Sequence, residues 1–307
     1  MKHAHMFITA MTRKGLFSCQ RGENLTNVNS LQKVTVNPDG TQKVITTANG
    51  IRSTIRETAS AIIARECITD VSVNRSRVKN GDAIAVTYKG GTDSIHDPQE
   101  YLDDALMGYL EIETKKKEQR DSAIRMSNAI SISDFYPENT LMHQSPQNTH
   151  ELAKADKPQQ LFSEECIYTA FQYSIDVSML SLQNITKRDT MLRLFFQTLS
   201  ELGHVGGNAT RYYMEFQPVN AIIRSTNLGC GNIPEFTSDS DYQSVVNAII
   251  SGAINPTEVI LAGSLFTNMP EDIKSSLEAL GVRIYASVTT ALDSISTETT
   301  GNGLYAR

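Results

Sequence analysis

The sequence has 307 residues, 40% apolar and 20% charged, with a formal net charge of −6, a length that suits one elaborate domain or two smaller ones around a buried core. Its four cysteines (Cys19, Cys67, Cys166, Cys230) stand far apart with no CxxC pair, which argues for reduced thiols and against a disulfide framework or a thiolate zinc site. No stretch approaches the ~18–20 apolar residues that span a membrane, and the opening MKHAHMFITAM lacks a signal-peptide core, so a cytoplasmic protein is expected.

In chain order, His3–Met11 (HAHMFITAM) is a β-branched and aromatic run that reads as the first strand. His3 and His5 alternate along it and, with no third ligand nearby, read as strand-face residues. Arg13–Ser30 (RKGLFSCQRGENLTNVNS) is a polar loop loaded with hydrogen-bond donors. Lys33–Asn37 and Lys43–Thr46 form a hairpin about Pro38-Asp39-Gly40-Thr41, where Asp-Gly is the turn signal. The strand ending near Thr46 runs into a helix whose cap is Asn49 or Thr47. Ile51, Ile55, Ala59, Ile62 and Ile63 recur at helical spacing and make its buried face.

Arg52 and Arg56 lie on another face of this helix, in its first two turns, where the helix dipole favours carboxylates. Like charges at i, i+4 repel by about 0.2–0.5 kcal/mol, and neither arginine has an Asp or Glu three or four residues away. An anion resting on the free N–H groups, with both guanidiniums around it, turns each cost into a gain. A phosphate-binding helix start is therefore one reading. The other is two snorkelling surface arginines, or pairing with carboxylates distant in sequence.

From Cys67 the texture changes. Val71–Val78 carries Arg75 and Arg77, and an acidic helix is expected from Asp97 (DPQEYLDDALMGYL), with Asp97 as cap and Pro98 at its first position. Asp103 and Asp104 point about 100° apart on such a helix and read as a solvated face, not a catalytic pair. Lys115–Arg120 is a basic cluster, followed by Arg125 and a strand at Ala129–Ile132. Residues 134–165 are polar and contain Pro137, Pro146 and Pro158, and a stretch of that length is usually functional, here a long hairpin or arm.

Phe171–Leu180 alternates as a core strand, and Thr190–Leu202 is an amphipathic helix with Gly203 as its C′ residue. Gly203–Arg211 (GHVGGNATR) leaves a helix instead of joining a strand to one, so it is no dinucleotide fingerprint, although Arg211 suits a phosphate clamp. Tyr212–Ser225 is another core strand. The tail reads as a helix (Ser240–Ser251), a strand (Val259–Ala262), a helix (Pro270–Leu280) and a strand (Val282–Ser287). The fold class is α+β, built round an antiparallel sheet with helices packed on one side.

Charge is unevenly spread. Residues 1–65 hold nine Lys/Arg against three Asp/Glu, and residues 230–307 hold three against nine. A basic front and an acidic back suit a polyanion on one surface and copies of the chain stacked through opposite surfaces, with chance scatter as the ordinary alternative. No HExxH, GxSxG, P-loop or Cys/His ligand spacing appears. His204 is the best general-base candidate, yet a lone histidine more often packs or hydrogen-bonds. The residues make no positive case for an enzyme, a metal or a cofactor.

Several segments, in order, resemble the CRISPR-associated backbone subunit of type I Cascade surveillance complexes, the DevR-type autoregulator family. They are HMFITAM with ENLTNVNS, KVITTANGIRSTIRET, PQEYLDDALMGYL, RDSAIRMSNAISI, FQYSIDVSML and LGHVGGNATRYYMEFQPVNAII. The resemblance implies a ferredoxin- or RRM-like core (residues 1–66 plus 169–307) carrying a helical insertion (67–128) and a projecting thumb hairpin (129–168). It implies a non-catalytic protein that polymerises head to tail along a guide crRNA, presents it to target DNA, and joins other Cascade subunits, with no cofactor and no membrane. Thr47, Asn49, Arg52 and Arg56 match the guide-contacting positions, followed by Arg21, Asn24 and Asn27 in the first loop and by Asn208 and Arg211. Backbone proteins of related type III complexes cut RNA with an aspartate in the first loop; this loop has only Glu23, so target cleavage is not expected. The alternative is an RNA-processing endonuclease of the same superfamily with His204 or a tyrosine as base. A third reading is a phosphometabolite enzyme that closes Arg52 and Arg56 on a small anion.

Overall fold

A computed structural model of the chain describes residues 3–18, 28–36, 38–74, 78–80, 83–87, 96–111, 118–136, 139–143, 161–205 and 214–305. Among these residues, nine strands form the main sheet: β1 (His5–Thr12), β2 (Lys33–Thr35), β3 (Gln42–Thr46), β4 (Ile124–Met126), β5 (Ala129–Ser131), β6 (Phe171–Ser178), β7 (Pro218–Thr226), β8 (Val259–Gly263) and β9 (Arg283–Tyr285). They lie in the order β9-β8-β7-β1-β6-β5-β3-β2, with β4 pairing with β6 beside β5. Every pairing is antiparallel except that of β8 with β9. The helices are α1 (Ala48–Arg65), α2 (Leu102–Met107), α3 (Arg188–Ser200), α4 (Gln243–Ile250), α5 (Ser264–Thr267), α6 (Glu271–Ala279) and α7 (Val288–Thr300). Through β1, α1, β4 with β5, β6, α3 and β7 the chain runs strand–helix–strand–strand–helix–strand, with those strands ordered β7-β1-β6-β4/β5.

Alternation along the strands divides the core. Met6, Ile8 and Ala10 of β1 and Tyr173, Ile175 and Val177 of β6 share one cluster with Ile51, Ile55, Ala59 and Ile62 of α1 and with the apolar sides of α3 and α7. Ile222 of β7 and Leu261 of β8 belong to a second cluster with Val245 and Ile249 of α4 and Leu277 of α6. Helices therefore cover both faces, not one. The reason is that β7 and β8 are apolar on both sides, so the outer half of the sheet has two faces to bury.

The Lys33–Thr46 hairpin forms as its sequence predicts. Asp39 Oδ1 accepts from the Thr41 N–H at 2.9 Å, and Gly40 takes φ +88°. Two helix expectations need correction. The expected helix from Asp97 begins only after Tyr101 and has six residues, because Asp97 Oδ1 accepts from the Gln99 N–H at 2.8 Å in a turn. α3 ends at Ser200 with Glu201 as its cap, and Gly203 is not left-handed. α7 was not legible at all: VTTALDSISTETT has low helix propensity. It stands because Ser287 Oγ caps the Thr290 N–H at 3.1 Å and Val288, Ala291, Leu292 and Ile295 bury one face.

Within residues 67–128 the described residues hold one helix, α2, and two short ladders, Val78–Asn80 with Ala83–Thr87 and Tyr109–Glu111 with Glu118–Arg120. β4 and β5 belong to the main sheet. Beyond them Asn139–His143 pairs antiparallel with Leu161–Glu165, the stem of a hairpin, and Ser163–Glu164 pairs in parallel with Val28–Asn29. No helix among the described residues is long and apolar enough to cross a membrane.

Candidate nucleic-acid interface

The start of α1 is capped from two directions. Thr47 is extended (φ −73°, ψ 144°), and its Oγ1 accepts from the Gly50 N–H at 3.2 Å. Asn128 Oδ1 accepts from the Ala48 N–H at 2.9 Å, a contribution from 80 residues away that no local pattern foretold. Of the two sequence candidates Thr47 is therefore the cap, and Asn49 is exposed in the first turn. That turn contains no acidic residue.

The two arginines have different fates. Arg52 is half-buried; its Nη2 lies 3.5 Å from the Ile124 carbonyl oxygen, and its Nε is buried with no acceptor among the described residues. Arg56 donates from Nε to Asp103 Oδ2 at 3.0 Å. For Arg56 the distant-carboxylate alternative is thus the one realised within the chain. Asp103 is 4% exposed, and its other oxygen accepts from the Asn74 N–H at 2.8 Å.

Asp104 is buried beside it. Its Oδ2 accepts from Asn74 Nδ2 at 3.1 Å and from the Asp97 N–H at 3.0 Å, and its Oδ1 lies 3.0 Å from His96 Nδ1. The His96 ring stacks on Tyr109 at 4.0 Å. Burial pushes the Asp104 carboxyl above the usual range, opposed by its bonds to His96 and Asn74. The expectation of a solvated acidic face is overturned: between them the two carboxylates find donors from three separate segments, around Arg56, Asn74 and His96–Asp97, which makes their burial tolerable.

One further loop begins beside this helix. Thr54 Oγ1 lies 3.3 Å from the carbonyls of both Gly50 and His204. A Cβ on Gly50 would sit 3.2 Å from Val205 Cγ1, so glycine there lets the two backbones approach. At the other end of that loop, Met214 Cγ lies 3.3 Å from where a Gly15 Cβ would be. Gly15 opens Gly15–Phe17, which pairs with Ile167–Thr169, and Phe17 packs edge-on against Phe171 and Phe216. The Gly203–Arg211 loop therefore departs beside the start of α1 and returns beside the start of the Arg13–Ser30 loop. Arg21, Asn24, Asn27, Asn208 and Arg211 themselves fall outside the described residues. The exposed His204 stands in a bridge with Glu215.

No family model matches the chain. It is 23% identical over 300 residues, 94% of its own length and 95% of the other's, to a CRISPR-associated protein Cas7/Cst2/DevR of Myxococcus xanthus (strain DK1622). Its fold matches a chain of a CRISPR RNA-guided surveillance complex in a pre-nicking state with a TM-score of 0.60 at 14% identity, covering 96% of this chain and 99% of that one. A second CRISPR RNA-guided surveillance complex chain matches with a TM-score of 0.56 at the same identity and coverage. The chain is thus similar end to end to a Cas7/Cst2/DevR protein and shares its fold with chains of CRISPR RNA-guided surveillance complexes.

Proposed function

We propose that this chain is a non-catalytic backbone subunit of a type I Cascade surveillance complex that binds guide crRNA and presents it for pairing with target DNA. The relationship to the Cas7/Cst2/DevR protein and the likeness to surveillance-complex chains support the coarse role. One observation carries the finer reading: the Arg52 guanidinium stands near an acid-free helix start, and among the described residues no carboxylate neutralises it. Such a start, with a cation beside it, suits a backbone phosphate. Arg56 braces the helix through Asp103, while Arg52, Thr47 and the exposed Asn49 supply the contact. Arg21, Asn24, Asn27, Asn208 and Arg211, assigned from the sequence resemblance, complete the proposed set of guide contacts.

The strand order β7-β1-β6-β4/β5 with α1 and α3 supports a ferredoxin-like core. The paired stem Asn139–His143/Leu161–Glu165 supports a thumb. Copies stack head to tail along the guide in the cytoplasm, through an interface that does not close. Base pairing supplies specificity, and the protein reads backbone and shape. Purifying the full chain after co-expression with a repeat–spacer transcript tests the reading. RNA of discrete, guide-like length is expected to co-purify, and protein that carries no RNA and binds none when supplied would overturn it.

A further inference from the structure

Both legs of the hairpin arm are fastened to the β2–β3 hairpin, by different chemistry. On the first leg the Phe135 N–H donates to the Gln42 carbonyl at 2.8 Å, and Lys43 Nζ pairs with Asp134 Oδ1 at 2.9 Å. Lys43 also donates to the Ile132 carbonyl. The second leg ends at Glu165, whose side chain is 13% exposed. Its Oε2 accepts from the Leu31 N–H at 2.8 Å, and its two oxygens receive Lys33 Nζ at 2.9 and 2.7 Å. The same ammonium lies 4.5 Å from the centre of the Phe135 ring, on the first leg.

Immediately before Glu165, Ser163 and Glu164 pair in parallel with Val28 and Asn29, the exit of the Arg13–Ser30 loop. A two-residue parallel ladder is marginal by itself. A largely buried carboxylate with three charge-assisted or backbone bonds is what closes it. One side chain thus joins the arm, the loop exit and edge strand β2, and β2 leads through β3 into Thr47 and α1.

We infer that Glu165 is a positioning residue that clamps the arm stem Leu161–Glu165 and the Val28–Asn29 strand to edge strand β2, so that this clamp sets how firmly the segment leading into Thr47 and α1 holds the guide. This rests on the guide-binding reading above. Glutamine at 165 keeps an acceptor for Leu31 but loses the ion pair with Lys33; alanine loses both.

The test has two arms on the full chain. In RNA-free protein, amide hydrogen exchange at Val28–Leu31 is expected to accelerate about tenfold or more in Glu165→Ala, and less in Glu165→Gln and in Lys33→Ala, which lose the ion pair alone. For single-stranded RNA, affinity is expected to fall about tenfold in Glu165→Ala. Combining it with Lys33→Ala should add little, since both changes remove the Glu165–Lys33 pair. Should the alanine variant not fold, Glu165→Gln carries both measurements. Unchanged exchange at Val28–Leu31, or fully additive losses of affinity, would overturn the inference. Wild-type protein with coupled exchange but no RNA affinity would instead sink the guide-binding reading.

Discussion

Replacing Arg56 by alanine separates the two arginines of α1 more sharply than any other change. Asp103 is 4% exposed and, among the described residues, would keep only the Asn74 N–H at 2.8 Å. Removing one partner of a buried pair typically costs about 3–5 kcal/mol, and the Arg56 side chain, 19% exposed, places this pair at the lower end. A cost of about 3 kcal/mol lowers the thermal midpoint of a chain this size by about 6–9 °C, at about 2–3 °C per kcal/mol. Arg52→Ala gives up a 3.5 Å contact and an Nε without an acceptor, so its cost is under about 1 kcal/mol. The RNA readout runs the other way. Each lost phosphate contact removes about 0.7 from the slope of log affinity against log salt on single strands, so Arg52→Ala shortens the slope in a protein that melts normally. Scanning calorimetry and filter binding at several salt concentrations measure both quantities. A double variant Arg56→Met with Asp103→Leu should recover part of the lost stability, because no charge is left stranded while the Asn74 N–H gives up its Asp103 acceptor. If Arg56→Ala melts within about 1 °C of the parent and shortens the slope as much as Arg52→Ala, the division of labour is wrong.

Asn128→Ala removes the acceptor for the Ala48 N–H and should cost about 1 kcal/mol, a midpoint shift of about 2–3 °C, with RNA affinity falling alongside because the helix start frays. The Arg65 guanidinium holds the Glu201 carboxyl below its ordinary range. Its contribution is therefore present above the unfolded pKa, about 4.3, and is lost as pH falls through the depressed folded value. In Glu201→Gln the acid limb of a stability–pH profile should flatten below about pH 4.3, and a limb of unchanged steepness would refute that assignment.

The hairpin at Asp39-Gly40, α1 and its apolar face, β6 and the alternating helices and strands of the tail were legible because each depends on residues within a few positions of one another. Turn chemistry and the periods of 2 and 3.6 are written into short windows of chain. The cap of α1 was legible only as a choice between Asn49 and Thr47, and the extended backbone of Thr47 together with Asn128 made it. The order of motifs was likewise readable in one dimension, and it placed the chain beside DevR-type proteins before any fold was drawn.

What tertiary structure alone decided is where charge goes. Arg56 and Asp103 are 47 residues apart, and nothing in either neighbourhood marks them as partners. Asp103 and Asp104 look like solvent-facing acids in any local window, yet Asn74, His96 and Arg56 arrive from elsewhere to supply their donors. The fastening of the arm by Glu165 to Leu31 and Lys33, and the helices on the second face of the sheet, belong to the same class. A period is a property of the backbone's own geometry, so sequence carries it. Desolvation and neutralisation are properties of whichever surfaces the folded chain brings into contact, and those exist only once it has closed.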